Sequence, residues 1–534
     1  MTSERYIQLT SIHLILPSGG LSPLTSLYID RITGLICSPP SISSGVDEIL
    51  TIDLKGRWVS PGMIDIQING AFGIDLSEFT DEKTYVDGFK KMSEGLCKIG
   101  VTGFLPTVIS QTKQNYHSIL PLLRTLPTGP ISQECQSRSL GYHLEGPFIH
   151  PKKSGCHPTS NLITATKGLQ SLIENYGEDS FVRGNEDAFV KMITVAPDVE
   201  GILEVIPELV VRGWKVSLGH TNASTEQALQ GVINGATLLT HLFNAMPPLH
   251  HREPGLIGLL GLPPTSSSGQ TVRPSVAQRV SSVAPTPMIR SKAPTRVPSP
   301  VLETDQNLLC VNGGCEDETC DYVYIHSGKK PKNHLKLSLK LDDLSVQANA
   351  GSVDSSTENS ASARSDGHPP SVQVSRGGDG QDGSIVRRPY FSIIADGIHV
   401  QPQAVSMAYN AHPDGCILVS DAMHMLDPSL PDGVHPWREQ YVEKRNGGIT
   451  LAGTDTLAGS ILPLSQAVLN LSKFSGIPLF KAVVCATYAP AKALGGEVEN
   501  MVGLSVGCWA DLCIWDGEGL KGVWKGGKEV WYEG

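Results

Sequence analysis

Basic charge, long apolar runs and paired cysteines are all scarce in this 534-residue chain. Lys and Arg number 42 against 53 Asp and Glu, a formal net charge of -11. That acidic surplus argues against nucleic acid or an anionic membrane as the main partner, and any anionic ligand must be met by a local cluster of cations. No apolar stretch is long enough to span a bilayer, and the first residues, MTSERYIQLT, lack the basic-then-apolar pattern of a signal peptide. The 11 cysteines are scattered and mostly single, which fits thiols in a reducing compartment better than a disulfide framework. With 40% hydrophobic and 18% charged residues, the chain has the composition of a globular protein, expected in the cytoplasm.

Short β-rich runs open the chain (YIQLTSIHLIL, SLYIDRITGLI, EILTIDLKGRWVSPG) and close it (ADLCIWD, GVWKGG, EVWYEG). Between them, eight apolar runs alternate with helical stretches: 63–70, 102–110, 139–149, 190–198, 215–223, 236–245, 390–400 and 416–424. Strands alternating with crossover-length helices predict an α/β fold, a (β/α)8 TIM-like barrel, with an open doubly wound sheet as the alternative. The two β-rich ends predict a small β-sandwich domain formed from both chain termini. One block breaks the rhythm: residues 262–389 are rich in Ser, Pro, Gly and Thr, too poor in apolar surface to offset ordering entropy, and predict a long disordered insertion. The expected organisation is 1–60 and 488–534 for the small domain, 61–261 for barrel strands 1–6, 262–389 for the insertion, and 390–487 for strands 7–8 with their helices. Within the insertion, Cys310, Cys315 and Cys320 have only a loose zinc-like spacing, with His326 nearest as a fourth ligand.

Metal-capable polar residues stand near the ends of the predicted strands: Asn69, Glu145, His220, His241, Asp396 and Asp421. In a parallel barrel those ends converge on one face, where active sites are built. A lone histidine there is usually structural, but several at successive strand ends form a constellation. Two imidazoles and a carboxylate suit a catalytic zinc or similar divalent ion, which acidifies water and polarises a substrate oxygen. Asp421 reads as a proton shuttle, with a helix N-cap as its structural alternative. The HHREPG run puts His250, His251 and Arg252 close after the second histidine, the local cation that an anionic ligand would need.

The motifs PGMIDIQING, HLEGPFI, SGCHP, SLGHTNA, THLFNAMPPLHHREPG, IIADGIH, VSDAM and TLAGS, in this order, resemble the N-acetylglucosamine-6-phosphate deacetylase family of the amidohydrolase superfamily. The resemblance covers nearly the whole chain outside 262–389. It implies metal-dependent hydrolysis of N-acetyl-D-glucosamine 6-phosphate to D-glucosamine 6-phosphate and acetate. It implies one divalent metal ion per subunit, zinc first and iron or another divalent ion as alternatives, held by Glu145, His220 and His241. Asp421 is implied as the catalytic acid and base. Cys156, His157, Asn244 and Ala245 are implied to hold the sugar. Arg252 and His399 are implied to meet the phosphate, and backbone groups of Leu457, Ala458 and Gly459 to close over the substrate. A homodimer is implied, with phosphate contacts shared across its interface.

The sequence departs from common patterns in two places. Many amidohydrolases open with H-x-H at the end of the first strand, binding a second metal; here the stretch is Gln67-Ile68-Asn69, poor ligands for a transition metal. This predicts a single metal and disfavours dihydroorotase-like and hydantoinase-like activities. At Cys156 a smaller Ala or Gly is common in the family. The remaining rivals are an amidohydrolase acting on another amide and an inactive relative serving as a scaffold.

Overall fold

The computed structural model describes residues 4–40, 49–126, 135–181, 189–263, 386–437, 440–445, 447–454 and 457–534. The expected disordered block, apart from its edges, and the site at Cys310, Cys315 and Cys320 lie outside the described residues.

Eight parallel strands run Met63–Ile68, Val101–Ile109, Gly141–Glu145, Val190–Val195, Lys215–Leu218, Leu238–Leu239, Tyr390–Ile393 and Cys416–Leu418. Each pairs with its neighbour in sequence, so their order in the sheet is their order along the chain. A doubly wound sheet would reverse that order at a switch point; this one does not. Helices Glu82–Lys98, Lys113–Thr125, Leu169–Tyr176, Ile202–Val211 and Thr225–Ile233 follow the first five strands, Pro402–Ala411 the seventh, and Leu464–Ser475 the eighth. Covered by these helices, all six residues of the first strand and all nine of the second are buried. Strands buried on both faces read as unbroken apolar runs, which is why they stand out in the sequence.

Among the described residues no ladder joins the first strand to the eighth. The backbone of residues 485–486 wedges between Ile64, early in the first strand, and Leu418, at the end of the eighth: Leu418 N–H donates to the Cys485 carbonyl at 2.9 Å, and Ile64 N–H to the Ala486 carbonyl at 2.8 Å. Further along they rejoin, Asp421 N–H donating to the Gln67 carbonyl at 2.9 Å and Asn69 N–H to the Ala422 carbonyl at 2.8 Å. The barrel is therefore nearly closed, with a seam directly below Asp421. Its lower interior packs Ile64, Ile66, Leu105, Met192, Leu238, Ile417 and Val419 against Ala489, Ala491, Ala493 and Trp509. Burial of each large apolar side chain there contributes roughly 1.5–3 kcal/mol.

Both chain ends build one eight-stranded sheet with Tyr6–Leu14 at its centre. That strand pairs with Thr25–Asp30 and Ile49–Asp53 through its first half and with Trp58–Pro61 through its second. Leu512–Trp515, Leu520–Lys525 and Lys528–Tyr532 extend the sheet from there. Ser11 takes a φ of 51° where the register slips between Leu9 and Ile12, and residues from both halves, Leu9, Ile29, Val59, Leu512 and Trp524 among them, share one core.

Two local features differ from the sequence reading. The sixth strand keeps only Leu238–Leu239 in its ladder, because His241 turns into the left-handed region at φ 29°. After the eighth strand a three-stranded antiparallel sheet forms from Gly433–Trp437, Gln440–Arg445 and Gly448–Leu451. Its Val442 and Ile449 pack on Met423, Met425, Ala458 and Ile461. No helix among the described residues is long and apolar enough to cross a membrane.

Candidate metal centre

Glu145 ends the third strand, while His220, His241 and Asp421 lie just past the ends of the fifth, sixth and eighth. The last three adopt left-handed backbone angles, with φ of 48°, 29° and 45°. For residues with a Cβ this conformation costs of order 1–3 kcal/mol each and persists only where surrounding structure enforces it. Three such residues, past the fifth, sixth and eighth strands on one rim, mark where stability is sacrificed to aim side chains.

Glu145 Oε1 lies 3.2 Å from His220 Nε2 and 3.2 Å from His241 Nε2, and the two imidazole nitrogens are 2.8 Å apart. All three residues are buried, and they form the one group of metal-capable side chains that converges among the described residues. The chemistry of the donors fits a small divalent cation. His220 Nδ1 lies 2.7 Å from the Lys153 carbonyl, which can only accept, so Nδ1 carries the proton and the Nε2 lone pair faces the centre. That lone pair, a carboxylate oxygen and the second imidazole then point at one another, an arrangement that a shared cation stabilises. Burial works against ionisation of Glu145, but the two imidazoles outweigh it and hold its carboxyl well below the usual range. Burial likewise works against protonation of His241, yet the adjacent Glu145 carboxylate raises its basicity. Gln67, expected to be a poor ligand, instead donates from Nε2 to Glu145 Oε1 at 2.8 Å.

Beneath the triad a chain of polar side chains crosses the barrel. His143 Nδ1 lies 3.1 Å from the Ile66 carbonyl and its Nε2 2.8 Å from Thr194 Oγ1. Thr194 Oγ1 lies 2.7 Å from Thr240 Oγ1, which lies 2.6 Å from Ser217 Oγ. Burial lowers the His143 pKa to about 4, keeping the ring neutral. Since the Ile66 carbonyl can only accept, Nδ1–H donates to it and Nε2 accepts from Thr194. Thr194 then accepts from Thr240, and Thr240 from Ser217, so every proton has one direction. Sequence reasoning missed this chain, because its members are ordinary Ser, Thr and His until the strands align them.

Asp421 sits on the same rim and accepts from Asn69 Nδ2 at 2.8 Å. Burial, and secondarily the Glu145 charge, pushes its carboxyl up to about 6. No helix begins at Asp421, the next one starting at Leu464, so the N-cap alternative does not apply. Asp396 accepts from the backbone N–H groups of Ile398 and His399 at 2.8 Å and meets His399 Nδ1 at 2.6 Å, which fixes that imidazole.

The remaining residues singled out by sequence spread around this rim. His157 is buried, its Nδ1 2.8 Å from Ser110 Oγ and its Nε2 3.9 Å from Glu145 Oε2, with its ring 4.6 Å from that of His220. Cys156, immediately before it, is exposed. Asn244 turns its Nδ2 back to the His241 carbonyl at 3.3 Å, and the Ala245 carbonyl accepts from Thr221 N–H at 3.1 Å. The segment Leu457–Gly459 is brought beside Asp421 by a parallel bridge between Ala422 and Ser460. Arg252 is exposed next to the paired rings of His250 and His251, and among the described residues no contact ties it to the triad.

No family model matches the chain. The N-acetylglucosamine-6-phosphate deacetylase of Caenorhabditis elegans is 31% identical over 482 residues, covering 90% of this chain and 84% of that protein. The human protein of the same name is 29% identical over 481 residues, covering 90% and 85%. Among solved structures, the N-acetylglucosamine-6-phosphate deacetylase of Pasteurella multocida superposes with a TM-score of 0.63 at 20% identity, covering 98% of this chain and 99% of that one. A Mycobacterium smegmatis enzyme in complex with N-acetyl-D-glucosamine-6-phosphate gives a TM-score of 0.61 at 19% identity, covering 99% and 100%. These structures share the fold.

Proposed function

The chain belongs to the N-acetylglucosamine-6-phosphate deacetylase family, and we propose that it hydrolyses N-acetyl-D-glucosamine 6-phosphate to D-glucosamine 6-phosphate and acetate in amino-sugar catabolism. One observation carries this reading: Glu145, His220 and His241 converge within 4.8 Å at the rim of the barrel, beside Asp421, in a chain of this family. A divalent ion held by the triad, zinc first and iron or another divalent ion as alternatives, supplies a Lewis acid that polarises the acetamide carbonyl and acidifies water.

The remaining chemistry belongs to the chain. Asp421 takes the proton from the attacking water and returns it to the departing amine, a role that its place on the rim with the triad allows. Asn69 holds the carboxylate toward the reacting centre through its 2.8 Å hydrogen bond. His157, steadied by Ser110, contacts the sugar or the acetyl carbonyl, and Cys156, Asn244 and Ala245 line the sugar. Leu457, Ala458 and Gly459 cover it. Arg252 and the imidazole of His399, fixed by Asp396, bind the phosphate, shared with a partner subunit in a homodimer. The enzyme works in the cytoplasm. The retained triad and Asp421 count against an inactive scaffold, and the absence of H-x-H at Gln67–Asn69 counts against ring-opening amidohydrolases.

The test is acetate release from N-acetylglucosamine 6-phosphate and from unphosphorylated N-acetylglucosamine, with and without chelator. Turnover of the phosphorylated sugar that chelation abolishes is expected. A protein that holds metal but releases no acetate from it would refute the assignment.

A further inference from the structure

Asp65, in the middle of the first strand, is completely buried, and among the described residues no cation pairs with it. Its carboxylate instead accepts backbone N–H groups. Both oxygens lie 3.3 Å from Ser420 N, and Oδ1 also lies 3.3 Å from Gln67 N. Burial pushes this carboxyl up to about 7, a sign of what keeping it there costs the fold. The Ser420 side chain and the nearby Asp421 charge also bear on it, and an apolar residue would avoid the cost of burial altogether.

The seam explains the choice. The third through seventh strands are held on both sides by ladders, so Glu145, His220 and His241 inherit their spacing from regular pairing. Asp421 has less: the eighth strand is laddered to the seventh but, among the described residues, it meets the first only through isolated backbone bonds beyond the wedge of residues 485–486. Above the wedge, Asp65 grips Ser420, the neighbour of Asp421, and Gln67, the partner of Glu145. The Gln67 carbonyl then accepts from Asp421 N–H at 2.9 Å. One side chain thus ties the segment carrying the proposed acid and base to the segment supporting the metal carboxylate.

We infer that Asp65 is a positioning residue that sets the distance between Asp421 and the Glu145–His220–His241 centre by replacing the missing ladder at the barrel seam. The inference rests on the deacetylase reading for its kinetic consequence and on the fold alone for the tether itself. Asp65 is not one of the three converging metal-capable residues and bonds to Gln67 and Ser420 instead, so its loss should leave metal and substrate bound and misplace only the proton carrier. A displacement of about 1 Å costs on the order of 100-fold in rate.

The experiment uses metal-loaded full-length protein. Asp65→Ala should keep one divalent ion per chain and an unchanged KM for N-acetylglucosamine 6-phosphate, while kcat falls by about 100-fold. Asp65→Asn, whose amide oxygen still accepts, should recover most of that loss. Wild-type kcat in Asp65→Ala, or metal lost in step with kcat, would overturn the inference. A second measurement needs no variant: in the wild type, the Ser420 amide should resist hydrogen exchange as strongly as the ladder-bonded amides of the eighth strand, and rapid exchange there would overturn the tether. A wild type that releases no acetate would instead overturn the deacetylase reading, with the Ser420 exchange still deciding the tether.

Discussion

Gln67 donates a 2.8 Å hydrogen bond from its side-chain amide to Oε1 of Glu145, the same oxygen that faces His220 and His241. The residue near the end of the first strand, where many amidohydrolases carry a metal-binding histidine, here orients the carboxylate of the candidate metal centre. A donor on that oxygen fixes the carboxylate plane while leaving the imidazole nitrogens to complete the site.

Removing that support should weaken the metal without abolishing folding. Gln67→Ala is expected to lower metal affinity by about 10–100-fold. Competition with a chelator of known affinity measures it; unchanged affinity would show that Glu145 is held by other contacts.

Asp421 and His241 should separate chemistry from metal. Asp421→Asn is expected to retain the ion and lose turnover by about 100- to 10,000-fold, the range for a lost general acid or base. His241→Ala should lose both. Metal analysis alongside initial rates distinguishes them, and a fully metallated His241→Ala would remove that residue from the ligand set.

Arg252 is predicted to act on binding and not on chemistry. Arg252→Ala should raise KM for the phosphorylated sugar with little change in kcat, since a phosphate contact is the same in ground and transition states. If KM does not move, the phosphate is bound elsewhere.

A separate electrostatic device lies where the bottom of the barrel meets the terminal sheet. Buried Asp511 pairs with Lys525, lies 3.4 Å from Arg138 and accepts from Gly526 N–H at 2.9 Å; Arg138 stacks 4.0 Å over Trp509. Burial resists ionisation of Asp511, but the two cations overcome it and hold its carboxyl below the usual range. Asp511→Ala leaves buried cations without their anion and should cost about 3–5 kcal/mol, read from denaturant unfolding. A folded pKa below the unfolded value near 3.9 means this stabilisation is complete above that pH and is lost as pH falls through the folded value. Asp511→Asn should therefore flatten stability against pH only below about pH 4; an unaltered acid limb would show that the pair contributes nothing to it.

Much of the fold was legible because burial imprints itself on composition. The first and second strands are covered on both faces, so their apolar runs announced a parallel sheet, and the helices between them announced its connections. The metal-capable residues were legible because three of them lie past strand ends, where a barrel gathers side chains. The three-stranded sheet at 433–451 was not read, since Pro436 and Gly447–Gly448 interrupt its alternation.

By itself the sequence determined which residue types were available and along which strands: two imidazoles and a carboxylate suited to a cation, and an aspartate suited to a proton. Only the tertiary structure decided how they meet. Left-handed turns at His220, His241 and Asp421 bend those side chains onto one rim, and the seam between the first and eighth strands makes Asp65 and Gln67 its fasteners. The physical reason is that periodicity records whether a side chain is buried, a property of one residue and its face. The partner of a buried polar group lies tens to hundreds of residues away, and only closure of the sheet brings the two together.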